Sequence, residues 1–203
     1  MEIALSILIG YLFGCVNMSY IIGKIKGFDI REKGSNNAGA SNAVVTMGFK
    51  AGIVVGVWDI LKAFLAAETA EYLFPNLTAA FILAGAGAVF GHVFPFWMGF
   101  RGGKGLASLL GLTLATDWRV FLICGVAIIA VTLITDYIAV GTLVTAVGYP
   151  IYMIVVWSSL LVTVVMGCIL LTMVCKHFIN VKRIVKGEEI GLSQTLGKKK
   201  DKH

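Results

Sequence analysis

Hydrophobic runs dominate this chain, and polar residues gather in the intervals between them. Residues 3–23, 51–72, 78–98, 119–135, 137–156 and 157–175 are long apolar stretches with few charges. Most approach the ~20 residues whose helical rise crosses a bilayer core. The apolar stretch from Gly105 to Thr116 is shorter. At about 18 Å of helical rise it is a thin span, a half-helix or a re-entrant element, and it counts as a seventh span. The pattern predicts an all-α integral membrane protein with about seven transmembrane helices in one bundle, one of them short.

Composition agrees with the pattern. The 203 residues are 58% hydrophobic with a mean hydropathy of +0.89, too apolar for a soluble globule. No basic residue precedes the first run and no small-residue cleavage site closes it, while Lys24 and Lys26 follow it. A retained first span with its N-terminus outside is therefore expected rather than a cleaved leader. An odd number of spans then puts residues 24–50, Arg101 to Lys104 and everything from Lys176 onward in the cytoplasm. Of the 17 Lys and Arg residues, only Lys62 and Arg119 fall elsewhere, as the positive-inside rule demands. Topology and lipid headgroups account for the net charge of +6, so no nucleic-acid partner is expected. Residues 1–190 read as a single transmembrane domain, and 191–203 as a basic, disordered cytoplasmic tail. Cys15, Cys124, Cys168 and Cys175 have no C-x-x-C spacing and read as packing residues.

Three polar islands carry the candidate chemistry. Gly91 to Gly105 sets a glycine-rich cationic loop against an apolar run. Gly102, Gly103 and Gly105 let backbone approach an anion, Arg101 and Lys104 supply charge, and a helix starting at Leu106 would point its first N–H groups back at the loop. Residues 34–42, Gly-Ser-Asn-Asn-Ala-Gly-Ala-Ser-Asn, read either as a loop dense in oxyanion donors, with Gly34, Ser35, Asn37, Gly39 and Asn42 among them, or as an ordinary interspan turn. The third island follows the last span, where His177 and Asn180 share one helical face. The expected topology brings all three to the cytoplasmic side.

Smaller signals complete the reading. Asp59 and Lys62, three apart in an apolar run, are expected to neutralise each other in the bundle interior. Thr142 either closes a pocket with its hydroxyl or bonds its own helix. His92, before Pro95, is expected to cap the end of its span. Neither His92 nor His177 has a second ligand at metal spacing, so no metal or cofactor is expected. A P-loop fails because Gly105 follows Lys104 where Ser or Thr belongs. An H-x-x-x-x-D dyad fails because Trp97 and Lys182 stand five residues after His92 and His177.

Together these islands resemble the three motifs of the PlsY family, the bacterial membrane glycerol-3-phosphate acyltransferases that take their acyl group from acyl-phosphate. Residues 34–42 are similar to an approximate GSGN-x-GATN. Residues 91–105 are similar to GH-x-F-P-x-F-x-x-F-[KR]-GGKG. Lys176, His177, Asn180, Arg183, Gly187 and Glu189 match [RK]H-x-x-N-x-x-R-x-x-x-G-x-E. Three motifs in order are a far stronger signal than any one. The resemblance implies a seven-span multi-pass protein of the bacterial plasma membrane that takes acyl-phosphate and glycerol 3-phosphate amid membrane lipids. Ser35, Asn37, Lys104, His177 and Asn180 are implied to lie in or beside the active site, and Asp59 with Lys62 fills a matching charged pair.

An acyl-phosphate already carries a good leaving group, so transfer to an alcohol needs charge neutralisation and alignment more than a strong nucleophile. Lys104 and the glycine-loop amides are expected to hold phosphate. Ser35 and Asn37 are expected to orient carbonyl or acceptor, and Asn180 to fix His177 as base or phosphate ligand. Two other readings are a paralogue with altered or lost activity and a transporter or sensor of a phosphorylated metabolite. The absence of an inverted repeat counts against transport.

Three positions depart from the family pattern: Asn36 replaces a glycine, Ala139 to Thr142 keeps one hydroxyl of a serine-rich stretch, and Val45 stands where the family carries an arginine. If that arginine clamps a substrate phosphate, Val45→Arg should lower the KM for glycerol 3-phosphate more than it raises kcat. Steady-state kinetics of Val45→Arg and Lys50→Ala check this, since Lys50 flanks the same loop. Unchanged KM in both would remove position 45 as a phosphate contact.

Overall fold

The computed structural model describes residues 1–189 and 191–193, so the expected basic tail lies, from residue 194, outside the described residues. Among the described residues the regular structure is entirely helical: α1 Glu2–Cys15, α2 Met18–Ile25, α3 Ala40–Met47, α4 Phe49–Leu73, α5 Ala80–Val93, α6 Leu106–Thr116, α7 Trp118–Thr135, α8 Ile138–Trp157 and α9 Leu160–Val185. Five segments are long and apolar enough to cross a membrane: Glu2–Ile25, Ala80–Met98, Trp118–Thr135, Ile138–Trp157 and Leu160–Val185. The short apolar α6 and the 25-residue α4, whose buried face carries Asp59 and Lys62, bring the helical set near the expected seven. The protein is a multi-pass membrane protein.

The chain divides into two compact units, Met1–Trp118 and Arg119 onward. In the first, α1 runs against α5 and α4 lies against α5 and α6. The α1–α5 contact is made by small residues on both sides. A Cβ on Gly14 would strike the Ala88 carbonyl, and one on Gly91 would strike the Tyr11 carbonyl. Gly10 and Gly14 thus meet Gly87 and Gly91 as two G-x-x-x-G stripes. With no hydrophobic drive between helices in lipid, such close backbone approach supplies the packing.

The first span is broken. At Val16 the backbone turns extended, and Asn17 restarts the helix as the N-cap of α2. Its Oδ1 accepts from the Tyr20 amide at 3.0 Å and from the Ser19 hydroxyl at 2.8 Å, which satisfies a donor that a new helix start would leave orphaned.

In the second unit α8 packs on α9, and Gly141 of α8 sits against the Ile128 carbonyl and Thr132 of α7. Gly187, with φ of 70°, ends α9. Its amide donates to the Ile184 carbonyl at 2.9 Å, and the Glu188 amide to Arg183 at 2.8 Å, the paired bonds of a Schellman close. Residues 191–193 then dock on the α7–α8 loop. The Leu192 amide reaches the Asp136 carbonyl at 2.7 Å, while the Ser193 amide and hydroxyl reach the Asp136 carboxylate at 2.8 and 2.6 Å. Those bonds, led by the Ser193 hydroxyl, hold the Asp136 carboxyl below its ordinary pKa.

Gly91→Val should force α1 and α5 apart, at about 1–3 kcal/mol for overpacking against rigid backbone. Gly125→Val, where nothing lies near the added carbon, is the control. Thermal melts of the detergent-purified variants should show a lower midpoint for the first alone. Equal midpoints would contradict the close crossing.

Candidate active site

The loop at 34–42 is built around one side chain. Buried Asn42 shares its Nδ2 protons among the Asn37, Ile30 and Lys33 carbonyls at 2.9, 3.0 and 3.0 Å. Its Oδ1 accepts the Ser35 amide at 2.9 Å. These side-chain bonds all go to backbone between residues 30 and 37, so Asn42 holds the loop's shape and ties it to the segment before it. Ser35 is left exposed and Asn37 half-buried, while a Cβ on Gly34 would strike Asn42 Oδ1 and one on Gly39 would crowd Asn37 Nδ2. Asn36 has φ of 58°, the left-handed region that asparagine enters more readily than other side chains. Its substitution for glycine is therefore compatible with the loop. Beneath lies an apolar cluster of Ile30, Ala38, Ala43, Val55 and Met98.

The glycine loop is arranged differently from the simplest expectation. The Gly102 amide donates to the Val93 carbonyl and the Gly103 amide to the His92 carbonyl, both at 3.1 Å. A Cβ on Gly102 would strike the His92 carbonyl, and one on Gly103 would strike His92 Nε2 and lie 2.8 Å from the Ala38 carbonyl. These two glycines fold the loop flat onto the end of α5 rather than offering amides to an anion. Half-buried Lys104 follows, then Gly105 caps α6, its carbonyl accepting from Leu109 at 2.8 Å. The groups here whose charge and dipole suit an anion are Lys104 and the first turn of α6. Arg101 is exposed at the loop's rim.

Arg31 straps this loop to the preceding segment. It pairs with both Asp29 oxygens at 3.0 and 2.8 Å, and its Nη1 donates to the Met98 carbonyl at 2.6 Å and the Arg101 carbonyl at 3.3 Å. The bond from Arg31 outweighs burial and lowers the Asp29 carboxyl to about 2. A bidentate pair with two carbonyl bonds commits this guanidinium to architecture. Lys33 lies over the Phe28 ring at 4.3 Å. Val45 is 66% exposed on α3, and Lys50 is exposed at the start of α4.

The broken first span joins the two loops. The Cys15 carbonyl accepts Trp97 Nε1 at 2.8 Å. The Val16 carbonyl accepts Trp58 Nε1 at 3.0 Å and Lys62 Nζ at 3.2 Å. Asn17 Nδ2 donates to the Ala38 carbonyl at 3.1 Å. Lys62, 0% exposed, pairs with Asp59 Oδ1 at 2.6 Å. The expected pair therefore forms in the interior. His92 does more than cap its span, because its Nδ1 lies 2.9 Å from Lys62 Nζ and 3.2 Å from Asp59 Oδ1.

The second unit holds the remaining candidates. His177 and Asn180 are both buried on one face of α9. His177 Nδ1 donates to the Met173 carbonyl at 2.8 Å, which makes Nε2 the acceptor of the neutral ring. Asn180 Nδ2 donates to Glu189 Oε1 at 2.7 Å, so this asparagine is anchored by the residue that ends the third motif. Thr142 donates to the Ala139 carbonyl at 2.9 Å within its own helix.

With these loops and anchors in place, the model of the glycerol-3-phosphate acyltransferase family matches residues 4–187. The chain belongs to that family. It is similar to glycerol-3-phosphate acyltransferase 1 of Oceanobacillus iheyensis, with 41% identity over 205 residues, 95% of this chain and 96% of the relative. To the Bacillus subtilis glycerol-3-phosphate acyltransferase it is 37% identical over 190 residues, covering 93% and 97%. Among solved structures it resembles the integral membrane enzyme PlsY in its glycerol 3-phosphate form, with a TM-score of 0.85, 28% identity and coverage of 94% and 96%. The lysophosphatidic acid form gives 0.83, 27%, 97% and 99%.

For this family member, sequence reasoning had passed over Asn17, Arg31, Trp58, His92 and Trp97 as organisers of the site. One signal was available: Asn17 inside an apolar run, two residues before Ser19, is a helix-restart pattern.

Proposed function

We propose that this membrane protein transfers a fatty acyl group from acyl-phosphate to glycerol 3-phosphate, giving lysophosphatidic acid and inorganic phosphate. The observation that carries the reading is the family match, which takes in the first two motif regions and the third as far as Gly187. The PlsY structures named for glycerol 3-phosphate and lysophosphatidic acid support the acceptor and product. The acyl-phosphate donor follows from the motif resemblance and from the chemistry of the side chains. Lysine, histidine, serine and asparagine suit a reaction whose leaving group is already good.

In the reaction, the acceptor hydroxyl oxygen forms an ester bond to the acyl carbon while the bond from that carbon to the phosphate oxygen breaks. The electron pair leaves on phosphate. The hydroxyl proton passes to His177 Nε2 or to a phosphate oxygen, both bases of suitable strength near neutrality. Lys104 and the first turn of α6 neutralise phosphate charge, and Ser35 and Asn37 align the acyl carbonyl or the acceptor. Asn42 contributes by holding the 34–42 loop, and Gly102 and Gly103 by seating Lys104. We read residues 1–190 as a single acyltransferase domain, since the family match runs from residue 4 to 187. The Lys and Arg bias supports a bacterial plasma-membrane protein with an outside N-terminus and its motifs on the cytoplasmic face.

Purified protein in lipid nanodiscs, supplied with acyl-phosphate and glycerol 3-phosphate, should release lysophosphatidic acid and phosphate in equal amounts. Lys104→Ala and His177→Ala should each cut turnover by about 10²–10³-fold, the scale for losing a group that meets transition-state charge, while the variants remain folded. Near-native rates in either variant would remove that residue from the site. No product from wild type would reject the activity.

A further inference from the structure

We propose that His92 is a positioning residue for acyl transfer: Lys62 fixes its ring as the Nε2–H tautomer, and that ring edge sets where Gly103, and with it Lys104, lies. The proposal rests on the acyltransferase reading and on Lys104 as a phosphate ligand.

The tautomer follows from counting protons. A lysine ammonium has three N–H donors and no acceptor. Lys62 Nζ has three partners: Asp59 Oδ1 at 2.6 Å, His92 Nδ1 at 2.9 Å and the Val16 carbonyl at 3.2 Å. The carboxylate and the carbonyl can only accept, so the remaining proton points at Nδ1. A ring nitrogen that accepts carries no hydrogen, which puts the ring proton on Nε2. The opposite tautomer would aim an N–H at Asp59 Oδ1, 3.2 Å away, but it would also set that hydrogen against the ammonium at shorter range. Buried donors facing each other without an acceptor are costly.

The far edge of the same ring meets the glycine loop. A Cβ at Gly103 would strike Nε2 itself, and the Gly103 amide is bound to the His92 carbonyl at 3.1 Å. One residue therefore grips Gly103 by both main chain and ring. Rotation of the ring would lose the Lys62 bond and shift the wall on which Gly103 rests, moving Lys104 with it. Small displacements of a group aimed at a reacting phosphate are expensive in rate and binding. If the triad only neutralised Asp59, none of this would reach the loop.

The test uses the full chain in nanodiscs with ¹⁵N-labelled histidine, the His92 signals being assigned by their loss in His92→Gln. Wild type at neutral pH should show His92 as the Nε2–H tautomer. An Nδ1–H or doubly protonated ring would overturn the proposal whatever the variants do. Asp59→Asn/Lys62→Met removes both charges together, avoiding a lone buried ion. In that variant His92 should become a tautomer mixture and hydrogen exchange across residues 101–105 should rise at least ~10-fold. KM for the phosphorylated substrate whose KM also rises in Lys104→Arg should increase about 10-fold, with kcat changing less than ~3-fold. Wild-type exchange and KM in a folded double variant would overturn the positioning role. Tautomer and exchange need no turnover, so an inactive wild type would reject the acyltransferase reading without deciding this one.

Discussion

Two carbonyl groups, on Cys15 and Val16, organise the first unit. A helix that breaks inside an apolar layer strands backbone acceptors, and an unmatched one there costs several kcal/mol. Trp97, Trp58 and Lys62 supply the missing donors. They come from two separate neighbourhoods. Trp97 belongs to the segment before the glycine loop, Trp58 and Lys62 to α4, and Asn17, which restarts the helix, reaches the Ala38 carbonyl in the 34–42 loop. The break is thus the point at which the two loops are referred to one another. The G-x-x-x-G contact of α1 with α5 brings the break within reach of His92, because it fixes Cys15 against Gly91.

This arrangement divides the labour among the motif residues. Asn42, Gly102, Gly103, Arg31 and the Asp59–Lys62–His92 group spend their hydrogen-bonding capacity on the protein itself. Ser35, Asn37 and Lys104 sit on the surfaces so formed, and Gly105 starts the helix whose first turn follows Lys104. A reaction that requires alignment and charge neutralisation is served by this design, since loops that carry no regular structure gain rigidity only from such internal bonds. The left-handed Asn36 shows the same priority. The residue changed from the family pattern, yet the backbone shape remained one that it can adopt.

Much of this was legible in the sequence. Span positions followed from hydropathy, the Asp59–Lys62 pair from i, i+3 spacing, and the family from three ordered motifs. What could not be read was which polar groups would be consumed internally. Glycine-loop amides look like anion donors until tertiary contact assigns them, as it assigns Gly102 to Val93 and Gly103 to His92. Asn42 likewise looks like a ligand until its four bonds are counted. His92 lies 30 residues from Lys62 in sequence, and no local period connects them. Arg31 is a cation close in sequence to the 34–42 loop, yet its geometry commits it to Asp29 and two loop carbonyls.

The dependence of both loops on the break is tested most directly by hydrogen exchange in nanodiscs on wild type and Asn17→Ala. Losing the cap and the Ala38 bond removes about 1–2 kcal/mol of local stability. Exchange should accelerate together in residues 34–42 and 95–105, by roughly 5–30-fold if the whole loss reaches both loops. Acceleration confined to residues 16–21, with both loops at wild-type rates, would contradict the account.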